Sequence, residues 1–379
     1  MFIFRHGGRR TVNNVQHAFI PTQRTFASRI DIPFIPPSVP VIEQCPGPTC
    51  QCRDAPIGLD IEREQNISGS MPSYAEQILI STGRSDWPSR IEEDESADGA
   101  FVRQLKGMLL KGGKFVDPYH NVMLTNSSMP STASPIHQSK HASQSAGTES
   151  RSVPVYSSSK DPAIPREQEN PDTPPASAFL LPSFQYVPSI PTHSTAVEDF
   201  IKAFVLPGRL HQSHDVLSRE QQNILKRQPE LQKQFVGARK VDEILILICG
   251  HGARDERCGK LGPILQAEFE DKLQRQNIPI IHDPPVAEAL QVSTEVEGYV
   301  PTARVGLISH IGGHKWAGNV IVYIPPSFSR NPLAGKGIWY GRVGPEHVEG
   351  IVAKTVLDGK VIKELFRGGI DQARNILRL

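Results

Sequence analysis

Cysteine is scarce in this sequence. Five in 379 residues are too few for a disulfide framework at this length. Charge is balanced as well: 41 Lys and Arg against 40 Asp and Glu leave a formal net charge of +1. That gives no sign of a nucleic-acid or polyanion binder. No uninterrupted apolar run approaches the roughly 20 residues a membrane helix needs, so no membrane span is expected. Acidic residues are missing from the first thirty positions, where Arg5, Arg9, Arg10, Arg24 and Arg29 precede the first acid, Asp31. Arginine-rich and acid-free is the composition of a mitochondrial targeting segment. It is expected over residues 1–29, with the matrix or the intermembrane space as destination.

Large apolar residues are nearly absent from a second stretch, residues 127–176, which is rich in Ser, Pro, Gln, Thr and His. Such a segment cannot bury enough surface to offset its ordering entropy, so a disordered insertion is expected there. The 33 prolines and 30 glycines of the chain fit a protein that is not packed throughout. Elsewhere the pattern is structured. "AEQILIST" (75–82), "NVMLTN" (121–126) and "ASAFLLPSFQYVPSI" (176–190) read as strands, and "GAFVRQLKGMLLKGG" (99–113) and "STAVEDFIKAFV" (194–205) as helices. After a polar stretch at 210–240, "VDEILILI", "TARVGLIS", "NVIVYIP" and "GKGIWYGRV" are strands. "LGPILQAEFEDKLQRQ" and "GPEHVEGIVAKTVLDGK" are helices. Strands alternating with helices predict an α/β fold. The loop at 309–319 is too short for a crossover helix, so at least one strand pair is antiparallel. This order predicts two thioredoxin-like halves with mixed sheets: a degenerate one over 30–209, a linker over 210–240, and a second over 241–379.

Two loops carry the chemistry. "ILILICGHGARDERCGK" (244–260) places Cys249 at a strand end and Cys258 eight intervening residues later, in the loop expected before a helix. "VGLISHIGGHKWAGN" (305–319) places His310 and His314 around Gly312 and Gly313, which argue against a helix and let the backbone wrap closely. Two thiols and two imidazoles suit a soft or borderline metal. One candidate is zinc, whose usual ligand spacing matches His-x3-His but not Cys-x8-Cys. The other is a [2Fe–2S] cluster with histidines on one iron, whose greater width accommodates the longer loop.

With these motifs the sequence resembles the thioredoxin-like [2Fe–2S] ferredoxins of the sucrase/ferredoxin-like family. Those proteins carry a Cys-x8-to-12-Cys pair after the first strand and a Cys-x3-Cys pair in a later loop. This chain departs at the second pair, and "HxGGHxxAGN" is the mark of a fungal branch of the family. "CPGPTCQCRDAPIGLDI" and "TGRSDWPSRIE" match two further motifs of that branch. The resemblance spans residues 45 to about 125 and 176 to 370. It implies that Cys249, Cys258, His310 and His314 hold a Rieske-like [2Fe–2S] cluster, the cysteines on the inner iron and the histidines on the outer. An electron-transfer or thiol-redox protein working with an unidentified redox partner is then expected, more than a stand-alone enzyme. The alternatives are a structural zinc-binding interaction protein and a thiol oxidoreductase.

The last alternative rests on Cys45, Cys50 and Cys52 in "CPGPTCQC", a Cys-x-Cys pair beside a third thiol, as redox-active or metal-binding residues or as a structural thiol cluster. His251 reads as a hydrogen-bonding neighbour of the cluster or an exposed residue, Trp316 as packing, and "FRGG" (366–369) as a chain turn.

Overall fold

The structure, a computed structural model, describes residues 38–132, 174–285 and 299–379. The expected targeting segment lies outside these residues, as does the insert from 133 to 173.

Apolar runs of five or six residues build the sheet. β1 is the short Val41–Ile42. β2, Glu76–Ser81, is buried along its whole length because both faces of the strand are covered, the condition under which apolar runs replace alternation. α1, Ala97–Leu109, starts where the Ser96 side chain accepts from Gly99 N–H, and it buries Phe101, Val102, Leu105 and Leu109. It leads to β3, Val122–Ser127, parallel to β2. β4, Ala176–Leu181, lies antiparallel to β2 on its other side, and β5, Gln185–Ile190, is antiparallel to β4. α2, Ser194–Phe200, then runs into a π-helical turn, Ile201–Val205.

Residues 210–240 form α3, Arg219–Ile224, and β6, Arg239–Lys240, which extends the sheet beside β5. Phe235 packs edge-on against Phe200 and Phe204. The expected linker is therefore part of the first half's packing.

The second half repeats the first. β7, Ile244–Cys249, is followed by α4, Glu256–Arg275, and β8, Ala303–Ile308, parallel to β7. β9, Val320–Ile324, is antiparallel to β7, and β10, Lys336–Tyr340, is antiparallel to β9. α5, Pro345–Ile351, again runs into a π-helical turn, Val352–Leu357. β11, Val361–Ile362, pairs with β1, and β12, Phe366–Asp371, and β13, Ile376–Leu377, complete the far edge. In both halves the strand order is second, first, third, fourth.

β3 and β8, the equivalent edge strands, pair antiparallel at Ser127 and Ile308, as a two-fold relation between the halves would have it. The result is one 11-stranded mixed sheet. Two cores fill the helix sides, around Phe269 and Leu265 in one half and Phe101 and Phe200 in the other. A third lies between the halves and joins Leu79, Phe179 and Tyr186 to Leu247, Tyr323 and Trp339. Each fully buried side chain of this size contributes ~1.5–3 kcal/mol, so the shared core ties the halves together. Tyr323 Oη donates to Gln77 Oε1 at 2.9 Å and Trp339 Nε1 to Tyr74 Oη at 3.0 Å across the same boundary.

Three local expectations change. "FRGG" is strand, the start of β12. Residues 127–132 belong to the fold: Ser128 N–H donates to Leu307 O at 2.9 Å, and Met129 is buried. The segment 38–65, which precedes the first half in sequence, packs on the second: Glu62 N–H donates to Lys315 O at 2.8 Å and Cys45 N–H to Glu364 Oε1 at 2.6 Å.

Candidate metal centre

Cys249 ends β7, and the chain then turns through His251 to Arg254. Asp255 stops the turn: its carboxylate accepts from Arg257 N–H at 3.1 Å and caps α4. Cys258 therefore lies in the first turn of α4, not in a loop before it. Two glycines let this turn close on the strand end. A Cβ on Gly259 would sit 2.5 Å from the Cα of Gly252, so only hydrogens fit between loop and helix. Both sulfur-bearing residues are buried, each 1% exposed. A Cys249 thiolate is favoured first by the neighbouring Cys258 side chain and then by the nearby His310, against the cost of burial. Its pKa is pushed well below the ordinary thiol value. Cys258 is pushed the other way, by Cys249 and by burial.

His310 follows β8 and is half-buried, while His314 is exposed and opens a single 3-10 turn, His314–Trp316. Gly312 and Gly313 between them hold φ of 81° and 77°, the left-handed region that glycine enters without penalty. The two imidazole centroids are 5.3 Å apart with planes tilted by 37°. His310 Nδ1 is buried and has no hydrogen-bond partner.

Side chains from elsewhere hold the loop. His251 Nδ1 accepts from His310 N–H at 3.1 Å, and its Nε2 lies 2.9 Å from Trp87 O and 3.0 Å from Pro88 O. An acceptor Nδ1 and a donor Nε2–H define the neutral tautomer, so His251 ties the histidine loop to the first half. Arg367 is 1% exposed. Its guanidinium donates to Gly312 O at 3.2 Å, Asn319 Oδ1 at 2.6 Å and Ser70 O at 3.0 Å, and it lies over the rings of Trp316 and Trp339. Burial lowers its pKa to about 10, against the attraction of Cys249 and Cys258, so at neutral pH it stays cationic beside the thiols. Asn319 Nδ2 donates to Gly313 O at 2.9 Å, and Cys249 N–H donates to Asn319 O at the same distance. Trp316 packs on Arg367 and donates from Nε1 to Glu62 Oε2 at 2.9 Å.

A cavity of about 250 Å³ opens beside His310, lined by Arg90, Lys106, His251, Arg254 and Ser309 among others. It lies where the first half meets the histidine loop.

The structure thus brings Cys249, Cys258 and His310 together, with His314 beside them toward solvent. Among the described residues no group of three or more His, Cys, Asp and Glu side chains is placed to hold a metal ion. What is assembled is two neighbouring pairs. Cys45, Cys50 and Cys52 are elsewhere: Cys45 faces His347 O on α5, and Cys50 touches Lys272 near the end of α4. Fourteen residues of helix separate Lys272 from Cys258, about 21 Å along the axis. All five cysteines are free thiols.

The sucrase/ferredoxin-like family model matches residues 67–368, a span that contains both pairs and the whole repeat. The chain belongs to the sucrase/ferredoxin-like family. Among similar curated proteins is the Altered inheritance of mitochondria protein 32 of Debaryomyces hansenii, 29% identical over 343 residues, covering 87% of this chain and 96% of the relative. The protein of the same name from Meyerozyma guilliermondii is 26% identical over 351 residues, 88% and 96% of the two chains. That of Saccharomyces cerevisiae is 35% identical over 126 residues, about a third of each chain. No solved structure gives a significant match.

Proposed function

We propose that this family member is a mitochondrial redox protein of two thioredoxin-like halves. Cys249 and Cys258 would hold the inner iron of a [2Fe–2S] cluster, and His310 and His314 the outer one. The observation that carries the reading is His310 Nδ1. A buried polar atom left without a partner costs ~1–3 kcal/mol, and a metal bond is what an imidazole nitrogen beside two thiols can make instead. The two pairs match zinc less well in spacing, since the eight residues between Cys249 and Cys258 exceed the two to four usual between zinc cysteines. They serve a binuclear group well, since each iron takes two. When bound, such a cluster accepts and releases single electrons, at a potential raised by its histidine ligands.

The chain's own residues do the rest. Burial of Cys249 and Cys258 keeps water from the sulfurs. Arg367 offsets their negative charge and fixes the carbonyl of Gly312, while His251 fixes the backbone of His310. The exposed His314 and the cavity beside His310 form the side from which a redox partner could approach. The order second–first–third–fourth, with one parallel pair and an antiparallel hairpin in each half, supports the thioredoxin-like reading. Where Cys249 ends β7, Ser81 ends β2, so the first half lacks the thiol. The mitochondrial assignment rests on the acid-free, arginine-rich first thirty residues and on the name its relatives carry.

Anaerobically purified protein should be red-brown and contain iron and acid-labile sulfide in equal amounts. Replacing Cys249 and Cys258 together by serine should remove both. Full iron occupancy in that double variant, or zinc as the metal of the wild type, would overturn the assignment.

A further inference from the structure

A second thiol site lies on the helical side of the second half. The segment Cys45 to Arg53 is laid across α4 and α5. Its anchors are Thr49 N–H, which donates to Glu349 Oε1 at 3.2 Å, and Arg53 Nη1, which donates to Glu268 Oε2 at 2.8 Å. Between these anchors Cys50 faces a cavity of about 220 Å³ lined by Thr49, Lys272, Arg275, Gln276 and Glu349 as well as by Cys50 itself. Lys272 is 2% exposed and its Nζ donates to Cys50 Sγ at 2.9 Å. Cys50 Sγ in turn lies 3.2 Å from Glu349 Oε2.

A buried lysine is costly unless its charge is used. Burial works against the Lys272 ammonium, and its bonds to Cys50 and Glu268 more than restore the charge. One thiol thus has a cation to hold its thiolate, a carboxylate to take its proton, and a cavity in front of it. Cys45 and Cys52 neither line that cavity nor take a hydrogen bond from Lys272, although Lys272 also attracts a Cys52 thiolate. Cys45 is turned to a backbone carbonyl, and burial together with Glu364 and Glu346 raises its pKa to about 12. Cys52 Sγ lies 3.7 Å from Cys50 O, and burial raises its pKa as well.

We propose that Cys50 is a nucleophilic thiol that exchanges with a low-molecular-weight disulfide bearing carboxylates. Lys272 and Arg275 supply the cationic side of the cavity that receives the carboxylate. The Cys50 proton passes to Glu349, and the sulfur attacks one sulfur of the disulfide. The Cys50–sulfur bond forms as the disulfide's S–S bond breaks. The departing half leaves as a thiolate and is protonated. Cys50 is oxidised to a mixed disulfide, the leaving thiol is reduced, and no other oxidant is consumed.

The test uses the full-length, cluster-loaded protein and oxidised glutathione as the probe, with peptide mapping by mass spectrometry and the visible spectrum followed in parallel. One glutathione per chain should appear, on Cys50, with the spectrum unchanged. Cys50→Ser should take up none. Lys272→Met should react at least ~tenfold more slowly, because the sulfur loses the charge-assisted hydrogen bond that Lys272 Nζ donates to it at 2.9 Å. Because Lys272→Met also leaves Glu268 with Arg53 as its one remaining cation, Glu349→Gln is the second variant. It keeps Lys272 in place and should slow the reaction as well. Modification that falls first on Cys45, Cys52 or the cluster cysteines, or no modification at all, overturns the proposal. So does an unchanged rate in either variant.

Discussion

His120 shows at the scale of one residue how burial sets a charge state. It is buried in the first half, with Nε2 2.8 Å from Val205 O. Burial, aided by Arg374 and Arg227, lowers its pKa from 6.5 to about 4. The folded value lies below the unfolded one, so above pH 6.5 both states are neutral and stability is indifferent to this group. As pH falls from 6.5 toward 4, the unfolded chain takes a proton that the folded protein refuses, and stability is lost. By pH 5 the loss is ~2 kcal/mol. Denaturant unfolding at pH 7 and pH 5 should show a stability difference smaller by about that amount in His120→Gln than in wild type. An unchanged difference would show that His120 is not held neutral. At this scale the four proposed ligands were legible as residue types at a spacing, because strand ends and glycine loops leave a signature. Arg367 was not. Nothing in "FRGG" says that its arginine is buried or that it reaches a loop some fifty positions earlier, since that contact depends on β10 and β12 pairing.

The first turn of α4 is the element on which the candidate site depends most. Its apolar rhythm begins only at Leu261, and "RDERCGK" before it is charged. The sequence therefore suggested a loop where Asp255 caps a helix. The glycines at 252 and 259 were equally opaque, since their use is close approach and not a turn. Replacing Gly259 by alanine forces a Cβ to within 2.5 Å of backbone and should destabilise the protein by ~1–3 kcal/mol. Iron content should fall with it, because Cys258 is the adjacent residue. Gly107 in α1 is the matched control: it is exposed and nothing stands within 4 Å of its Cβ position. Gly107→Ala should be neutral or stabilising by up to ~1 kcal/mol. Thermal unfolding and iron analysis of the two variants check both statements, and equal effects would contradict them. "FRGG" misled in the opposite direction, since paired glycines suggest a turn. In β12 Gly368 takes φ 156° with Met71 against it, and the strand runs on.

For the whole molecule, alternating strands and helices announced two α/β halves, but the union of their sheets was hidden. The seam is polar: Ser309 N–H donates to Asn126 O and Leu307 N–H to Ser128 Oγ, each at 2.9 Å. Short polar pairings carry no apolar period to be read. Its consequence is that residues 241–379 should not stand alone. Cutting there exposes the β8 edge, strips the shared core and removes Glu62, Ser70 and Trp87, which hold the histidine loop and Arg367. Expressed alone, that fragment should be insoluble or free of iron, and a soluble fragment with full iron content would contradict the shared-core account. The most direct test of the central claim is the electron paramagnetic resonance of the reduced full-length protein, with nitrogen couplings resolved by pulsed methods. The account predicts a [2Fe–2S] signal coupled to imidazole nitrogen, with the coupling lost in His310→Cys plus His314→Cys. A cluster signal without nitrogen coupling in the wild type, or no cluster signal at all, would contradict it.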